Sequence, residues 1–285
     1  MQRSFSVSAL AAWFLAASPS FAADAPAKTL RFAGCSISAV AYMKDMAKAF
    51  EAKYQIPVEV KGGGVPVGIK STLDGKVELG GSCRHLLGPE IQRGAVSTIV
   101  GYDMLVFIVH PSNPVGTLSM DQVRGIFSGK IKNWNEVRGP DHEIIIVGRE
   151  SEDAGVATMF REKVMRETPI TPNRVDLQST SDIELEMEKN QYGIAVTGIS
   201  SAQLRKVKLV GLNIMKPSRE TFLNGAYPLA RPLYLVTHGE PAGTTKQFLD
   251  FVLGPEGQKI MAKNAFSLDD YCSREKAISG TCDKG

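Results

Sequence analysis

No charge of one sign dominates this chain. Its 285 residues carry 33 Lys+Arg against 30 Asp+Glu, a formal charge of +3, and that near balance supplies no electrostatic case for nucleic acid. Cysteine is scarce at four residues, too few for disulfides to replace a hydrophobic core in a chain of this length. The 27 glycines and 15 prolines follow no collagen period, and no low-complexity linker or internal repeat is present. Beyond the N-terminal segment no apolar run approaches the ~18 residues needed to cross a bilayer. At 43% hydrophobic and 22% charged residues, with mean hydropathy −0.07, disorder and coiled coil are excluded. The composition is that of a globular protein of one large or two medium domains.

Catalytic motifs are also missing. The glycines at 62 to 64 and 68 lack the Gly-Lys-Ser/Thr ending of a P-loop and do not have dinucleotide-fingerprint spacing. There is no Gly-x-Ser-x-Gly elbow and no His-Glu-x-x-His pair. The sequence therefore directs attention to binding rather than turnover, with no cofactor.

What is there begins with a leader. Met1 to Arg3 are a short basic start, Ser8 to Ala17 an apolar run, and Ser20-Phe21-Ala22 place small residues at the −3 and −1 positions of a cleavage site. These features predict a signal peptide over residues 1–22 and an exported product. The competing reading is an N-terminal core helix. Export puts the cysteines in an oxidising compartment, where pairing is the default. Cys272 and Cys282 fall in a polar C-terminal tail, and a disulfide there closes a loop of about ten residues, stapling the tail by roughly 2–3 kcal/mol.

Strand-like and helix-like segments alternate along the rest. Thr29 to Ala33 and Ile56 to Val60 read as strands around a helix over Ser38 to Tyr54, a βαβ unit. A short helix over Val67 to Asp74 and a strand over Lys76 to Gly80 follow. The continuous apolar run Asp103 to His110 predicts a strand buried on both faces of a parallel sheet. A second set comprises strands at 143–147, 193–197 and 206–210 with helices at 154–165 and 181–189. The chain closes with a strand at 233–237 and a helix over 244–264. Two α/β lobes account for this pattern, with crossings at Pro111-Ser112-Asn113-Pro114 and at Tyr227 to Pro232. The expected division is residues 23–110 plus 228–285 for lobe 1 and 111–227 for lobe 2. A doubly crossed chain makes a hinged cleft suited to a small ligand.

Several segments then resemble, in order, the phosphate-binding family of periplasmic solute-binding proteins that serve ABC importers. They are Gly62 to Ile69 (GGGVPVGI), Glu78 to Leu86 (ELGGSCRHL), Asp103 to Val115, Leu118 to Val137 (LSMDQVRGIFSGKIKNWNEV), Ile146 to Phe160, Tyr227 to Tyr234 (YPLARPLY) and Phe248 to Ile260 (FLDFVLGPEGQKI). The resemblance implies a type II periplasmic binding protein: a two-lobed α/β fold, each lobe a mainly parallel sheet flanked by helices, with the ligand cleft between lobes. It also implies a periplasmic monomer that binds a small inorganic oxyanion and delivers it to an inner-membrane ABC permease.

Residue by residue, the loops that hold the anion in this family map onto Cys35, Ser36 and Ile37; onto Gly64 and Val65, followed by Pro66, which has no N–H to donate; onto Glu78, in place of an aspartate; and onto Arg149 with Ala154, Gly155 and Val156. Arg84 matches the family's Ser-Arg position, as an anion contact or as a salt bridge supporting its loop. Thiol, isoleucine, valine and alanine stand where hydroxyls are typical. Each hydrogen bond to a charged partner contributes roughly 1.5–3 kcal/mol, so three or four losses weaken phosphate binding by at least ~10³-fold. Glu150, Glu152 and Asp153 also put acidic charge beside Arg149.

Cys35 and Cys83 follow neighbouring strands at their carboxyl ends, where ligands of open α/β sheets bind. They read as a second disulfide, as two buried thiols, or as a soft-ligand pair for a thiophilic species. Two functions follow: the oxyanion receptor of an importer, or a sensor or accessory binding protein on the same fold whose pocket no longer takes phosphate. Asp103 is expected to make a structural hydrogen bond near the hinge, and Trp134 to pack.

Overall fold

The structure is a computed structural model that describes residues 29–282; the expected signal peptide at 1–22 lies outside the described residues. Strand β1 (Leu30–Gly34) is flanked by β2 (Val58–Gly63) and β3 (Leu79–Ser82), all parallel. Two helical segments join them, residues 36–54 and Val65–Leu73. The expected βαβ unit is therefore present. Met46, Ala47 and Phe50 of the first helix are buried while Lys44, Asp45, Glu51 and Lys53 face solvent, the 3.6-residue period that the sequence shows. Phe50 meets Phe248 at 4.9 Å and Phe251 at 5.5 Å between ring centroids, tying this first helix to the helix Gly243–Leu253.

The remaining strands are β4 (Ala95–Val109), β5 (Thr117–Leu118), β6 (Ile145–Arg149), β7 (Val175–Leu177), β8 (Gly193–Gly198), β9 (Lys208–Leu212) and β10 (Ala230–His238). Their order is β2-β1-β3-β10-β4-β8-β6-β7, with β9 beside β4 and β5 beside β9. Parallel pairing holds on both sides, in β2-β1-β3 and in β7-β6-β8. With helices packed on these sheets, the fold is the two-lobed α/β architecture of type II periplasmic binding proteins.

The middle of the sheet differs from expectation. The apolar run in β4 is fully buried from Asp103 to Val109, yet its neighbours β10, β8 and β9 are all antiparallel to it. A continuous apolar run reports coverage of both faces, and helices cover a sheet irrespective of strand direction, so composition does not encode the direction. The partner of β4 changes within the strand: Met104 pairs with Ala230 of β10, and Leu105 with Gly198 of β8.

Two further differences lie near the C-terminus. The helix expected over 244–264 is two helices, Gly243–Leu253 and Pro255–Asn264, because Pro255 has no N–H to continue the first. The polar tail is a helix as well, Leu268–Ser279, opened by a capping box of Ser267 and Asp270. Its buried face is polar, which hid its periodicity: Arg274 donates to the carbonyls of Phe222 at 2.7 Å and Tyr227 at 3.0 Å. The Cys272–Cys282 disulfide joins this helix to the residues just beyond it. Trp134 is a packing residue, fully buried, with its indole N–H on the Tyr192 carbonyl at 2.8 Å.

Candidate functional site

Three helices begin where parallel strands end. Residues 36–54 start after β1, Val65–Leu73 after β2, and the helical segment 155–165 after β6 and a short loop. The first N–H groups of any helix have no intrahelical acceptor. At these three starts the N-cap residues are Cys35, Gly64 and Ala154, and none supplies a side-chain hydrogen bond to the helix. The usual caps are Ser, Thr, Asp or Asn, so the N–H groups are left for another acceptor. Helix N-termini also carry partial positive charge, which suits an anion.

Glycine lets the three starts converge. A Cβ on Gly155 would lie 2.4 Å from the Cys83 sulfur and 3.0 Å from Val65 Cγ2, and one on Gly64 would lie 3.0 Å from Arg149 Nη2. Gly64 also has φ +91°, a backbone region that costs other residues strain. Across the two sheets the structure therefore brings together Cys35, Ser36, Gly64, Val65, Cys83, Arg149, Ala154, Gly155 and Val156. Ile37 lies in the first turn of its helix, buried.

Two predicted residues do not take part as anion ligands. Glu78 immediately precedes β3 and so sits at the opposite end of that strand from Cys83; its carboxylate accepts from Arg31 Nη2 at 2.8 Å, Arg31 Nε at 3.2 Å and the Arg31 backbone N–H at 2.9 Å. The match to an aspartate in the Val77-Glu78 stretch was positional and ignored which end of the strand faces the cleft. Arg84 supports its loop: it donates to both Glu90 oxygens at 2.8 and 2.9 Å, to the His85 carbonyl at 2.8 Å and to the Asp153 carbonyl at 2.9 Å. Its charge is committed within the protein.

Arg149 is different. It ends β6, is buried, and places Nη1 3.4 Å from the Leu177 carbonyl while Nε has no partner. Burial pulls its pKa down from the ordinary guanidinium value, offset in part by the charge of nearby Cys35, and it stays protonated. The acidic run beside it does not neutralise it by contact. Among the described residues, Glu152 pairs with Arg161 at 3.8 Å, and neither Glu150 nor Asp153 forms an ion pair with Arg149.

A second arginine was not singled out in the sequence. Arg231, on β10, is fully buried and donates through Nη2 and Nε to Asp103 Oδ2 at 2.6 and 3.2 Å, while Nη1 is unpartnered. Asp103 Oδ1 accepts from the Ser200 backbone N–H at 3.0 Å, the structural role expected of it. The signal for Arg231 was one cation between apolar residues in a buried strand (LARPLYLV), which requires a partner.

Cys35 and Cys83 are free thiols, not a disulfide, with sulfurs 3.1 Å apart and both residues buried. A hydrogen bond joins the two sulfurs. That hydrogen bond, opposed by burial and aided by Arg231, brings the Cys35 pKa down to about 6, while the same coupling pushes Cys83 well above the usual thiol range. A cavity of about 360 Å³ also reaches Arg149 and Val156; its other walls combine apolar residues, among them Phe127, Ile146, Phe160 and Ile183, with Arg161, Arg166 and Arg174, and Cys35, Ser36, Val65 and Cys83 do not line it. The uncapped helix starts and the buried arginines have the chemistry of an anion site.

Residues 22–256 match the model of the PBP superfamily domain. The chain belongs to the PBP superfamily. It is 26% identical over 215 residues to the phosphate-binding protein PstS of Borreliella burgdorferi, covering 71% of this chain and 76% of that one. It is 26% identical over 216 residues to the PstS of Bacillus subtilis, covering 74% and 71%. Among solved structures, an ABC transporter substrate-binding protein from Clostridium perfringens with bound phosphate superposes with a TM-score of 0.79 at 29% identity, covering 85% of this chain and 100% of that one. The superfamily and the fold class are thereby established for this chain.

Proposed function

We propose that this protein is the exported receptor of an ABC importer and binds phosphate between its two lobes, residues 23–110 with 228–285 forming one and 111–227 the other. The observation that carries this reading is the convergence of three uncapped helix starts on two buried arginines, each with an unpartnered N–H. Buried donors of this kind are expected to have an acceptor, and an oxyanion supplies several at once. The backbone N–H groups of Ser36, Ile37, Val65, Gly155 and Val156 are the donors, Ser36 adds a hydroxyl, and Arg149 the charge. The side-chain changes to Cys, Ile, Val and Ala leave the backbone donors in place, which is how a hydroxyl-poor cleft retains an anion.

Phosphate-binding relatives favour this receptor over the sensor that the sequence left open. Family membership points to capture and delivery to an inner-membrane permease, not turnover. No helix among the described residues is long and apolar enough to cross a membrane. Calorimetric titration of phosphate into ligand-stripped protein lacking residues 1–22 tests the reading, with micromolar or tighter binding expected. Arg149→Ala should weaken that binding ~10- to 150-fold, the loss of one charge-assisted contact of roughly 1.5–3 kcal/mol. Folded protein that takes up no phosphate would overturn the assignment.

A further inference from the structure

The thiol pair is not needed to hold phosphate, yet it occupies the centre of the cradle. Both Arg149 and Arg231 interact electrostatically with Cys35 and Cys83, and Gly155 at a helix start lies directly against the Cys83 sulfur. Close to the two free sulfurs the structure therefore holds buried arginine donors without partners, Arg149 Nε and Arg231 Nη1. A ligand of this site has to satisfy sulfur and nitrogen donors together. It must offer a soft centre to the thiols and oxygen to the N–H groups.

The sulfur spacing narrows the choice. A cation held linearly by two thiolates through bonds of about 2.3 Å needs sulfurs roughly 4.6 Å apart, whereas bonds of that length meeting near a right angle need roughly 3.3 Å. The observed separation is 3.1 Å. Among the described residues no group of three or more His, Cys, Asp or Glu is placed to hold a metal ion, so a metal would lack further protein ligands. A pyramidal, trivalent centre that brings its own oxygen meets both conditions.

We propose that Cys35 and Cys83 form a capture site for a trivalent thiophilic oxyacid, of which arsenous acid is the simplest, inside the same cleft that takes phosphate. The site rests on the oxyanion-cradle reading above only for the contacts to the remaining oxygen. Capture is a condensation: Cys35 Sγ attacks as the thiolate and Cys83 loses its S–H, two As–OH bonds break and two As–S bonds form, and the Cys83 proton together with one proton from solvent carries the two hydroxides away as two water molecules. Arsenic remains trivalent and no electrons are transferred, so neither an oxidant nor a reductant is required. The thiolate character of Cys35 supplies the first nucleophile, and the remaining As–OH oxygen is the acceptor for the helix N–H groups and Arg149.

The test uses protein without residues 1–22, purified without reductant. Thiol titration after denaturation should find two thiols per chain, since Cys272 and Cys282 are paired. One equivalent of arsenite should remove both from titration and raise the intact mass by one arsenous acid less two waters. Cys35→Ser and Cys83→Ser should each abolish this capture, with a melting scan reporting whether each variant folds, while Cys272→Ser/Cys282→Ser retains it. Saturating phosphate should slow capture by occupying the cleft. Finding no thiols, or two that stay titratable in excess arsenite, overturns the proposal whatever the variants do. If phosphate fails to bind but arsenite still consumes both thiols, the phosphate reading falls and the capture site stands; if phosphate binds and the thiols remain free, the reverse holds.

Discussion

Arginines illustrate how much one residue's role depends on its neighbours. Arg84, Arg149 and Arg231 are all buried, yet Arg84 has a carboxylate at hand, Arg231 shares one, and Arg149 has only a carbonyl. The Arg84–Glu90 pair makes a pH prediction. Burial alone would raise the Glu90 pKa, but hydrogen bonds from Arg84 and from the Leu87 N–H outweigh it and hold the carboxyl below its ordinary value. A depressed carboxylate pKa contributes stability that is present above the unfolded value, about 4.3 for Glu, and is lost as pH falls through the folded one. Glu90→Gln should therefore lower stability at neutral pH and flatten the loss of stability below about pH 4.3, measured by urea unfolding across pH. An unchanged acid limb would show that the pair carries no such linkage. Arg149 was singled out in the sequence through the family resemblance, and the structure shows it buried with Nε unpartnered. Glu78 was misplaced because spacing does not reveal which end of a short strand faces the cleft.

At the scale of elements, the strand-to-helix junctions do the work. Each places uncapped N–H groups at a carboxyl strand edge, and small residues permit the approach. Gly155→Ala puts a methyl 2.4 Å from the Cys83 sulfur, closer than any real contact, so the helix start or the thiol loop has to move. Overpacking of this kind costs roughly 1–3 kcal/mol. The variant should lose stability by that amount in chemical denaturation and bind phosphate more weakly in calorimetry; unaltered affinity would place the anion away from this helix start. Five helical stretches and most strands were legible from periodicity, whereas the helices Gly88–Gln92, Met120–Phe127, Ile199–Ala202 and Arg219–Leu223 were not anticipated. The break at Gly254-Pro255 was visible as a proline, and the tail helix was not, because its packed side carries few apolar residues: Tyr271 stacks on Tyr102, and Arg274 donates to two carbonyls.

For the whole molecule, β4 and β10 are the frame on which both sets of strands depend, and Asp103 with Arg231 bonds them where β4 changes partner. Asp103→Ala leaves the Arg231 charge buried and unpaired, which destabilises by about 3–5 kcal/mol. Thermal and urea unfolding should show that loss. A change below about 1 kcal/mol would mean that Arg231 finds another partner.

The sequence alone determined the class of this protein. Alternating periods of about two and 3.6, glycines after strands and an ordered series of family-like segments establish an α/β receptor fold, since these are local properties of the chain. Tertiary structure decided strand direction around β4, the choice between thiols and disulfide at Cys35 and Cys83, and which arginines keep free donors. Those outcomes depend on which residues, distant along the chain, are brought together: hydrogen bonds form only within about 3 Å, and burial arises only where elements pack on one another.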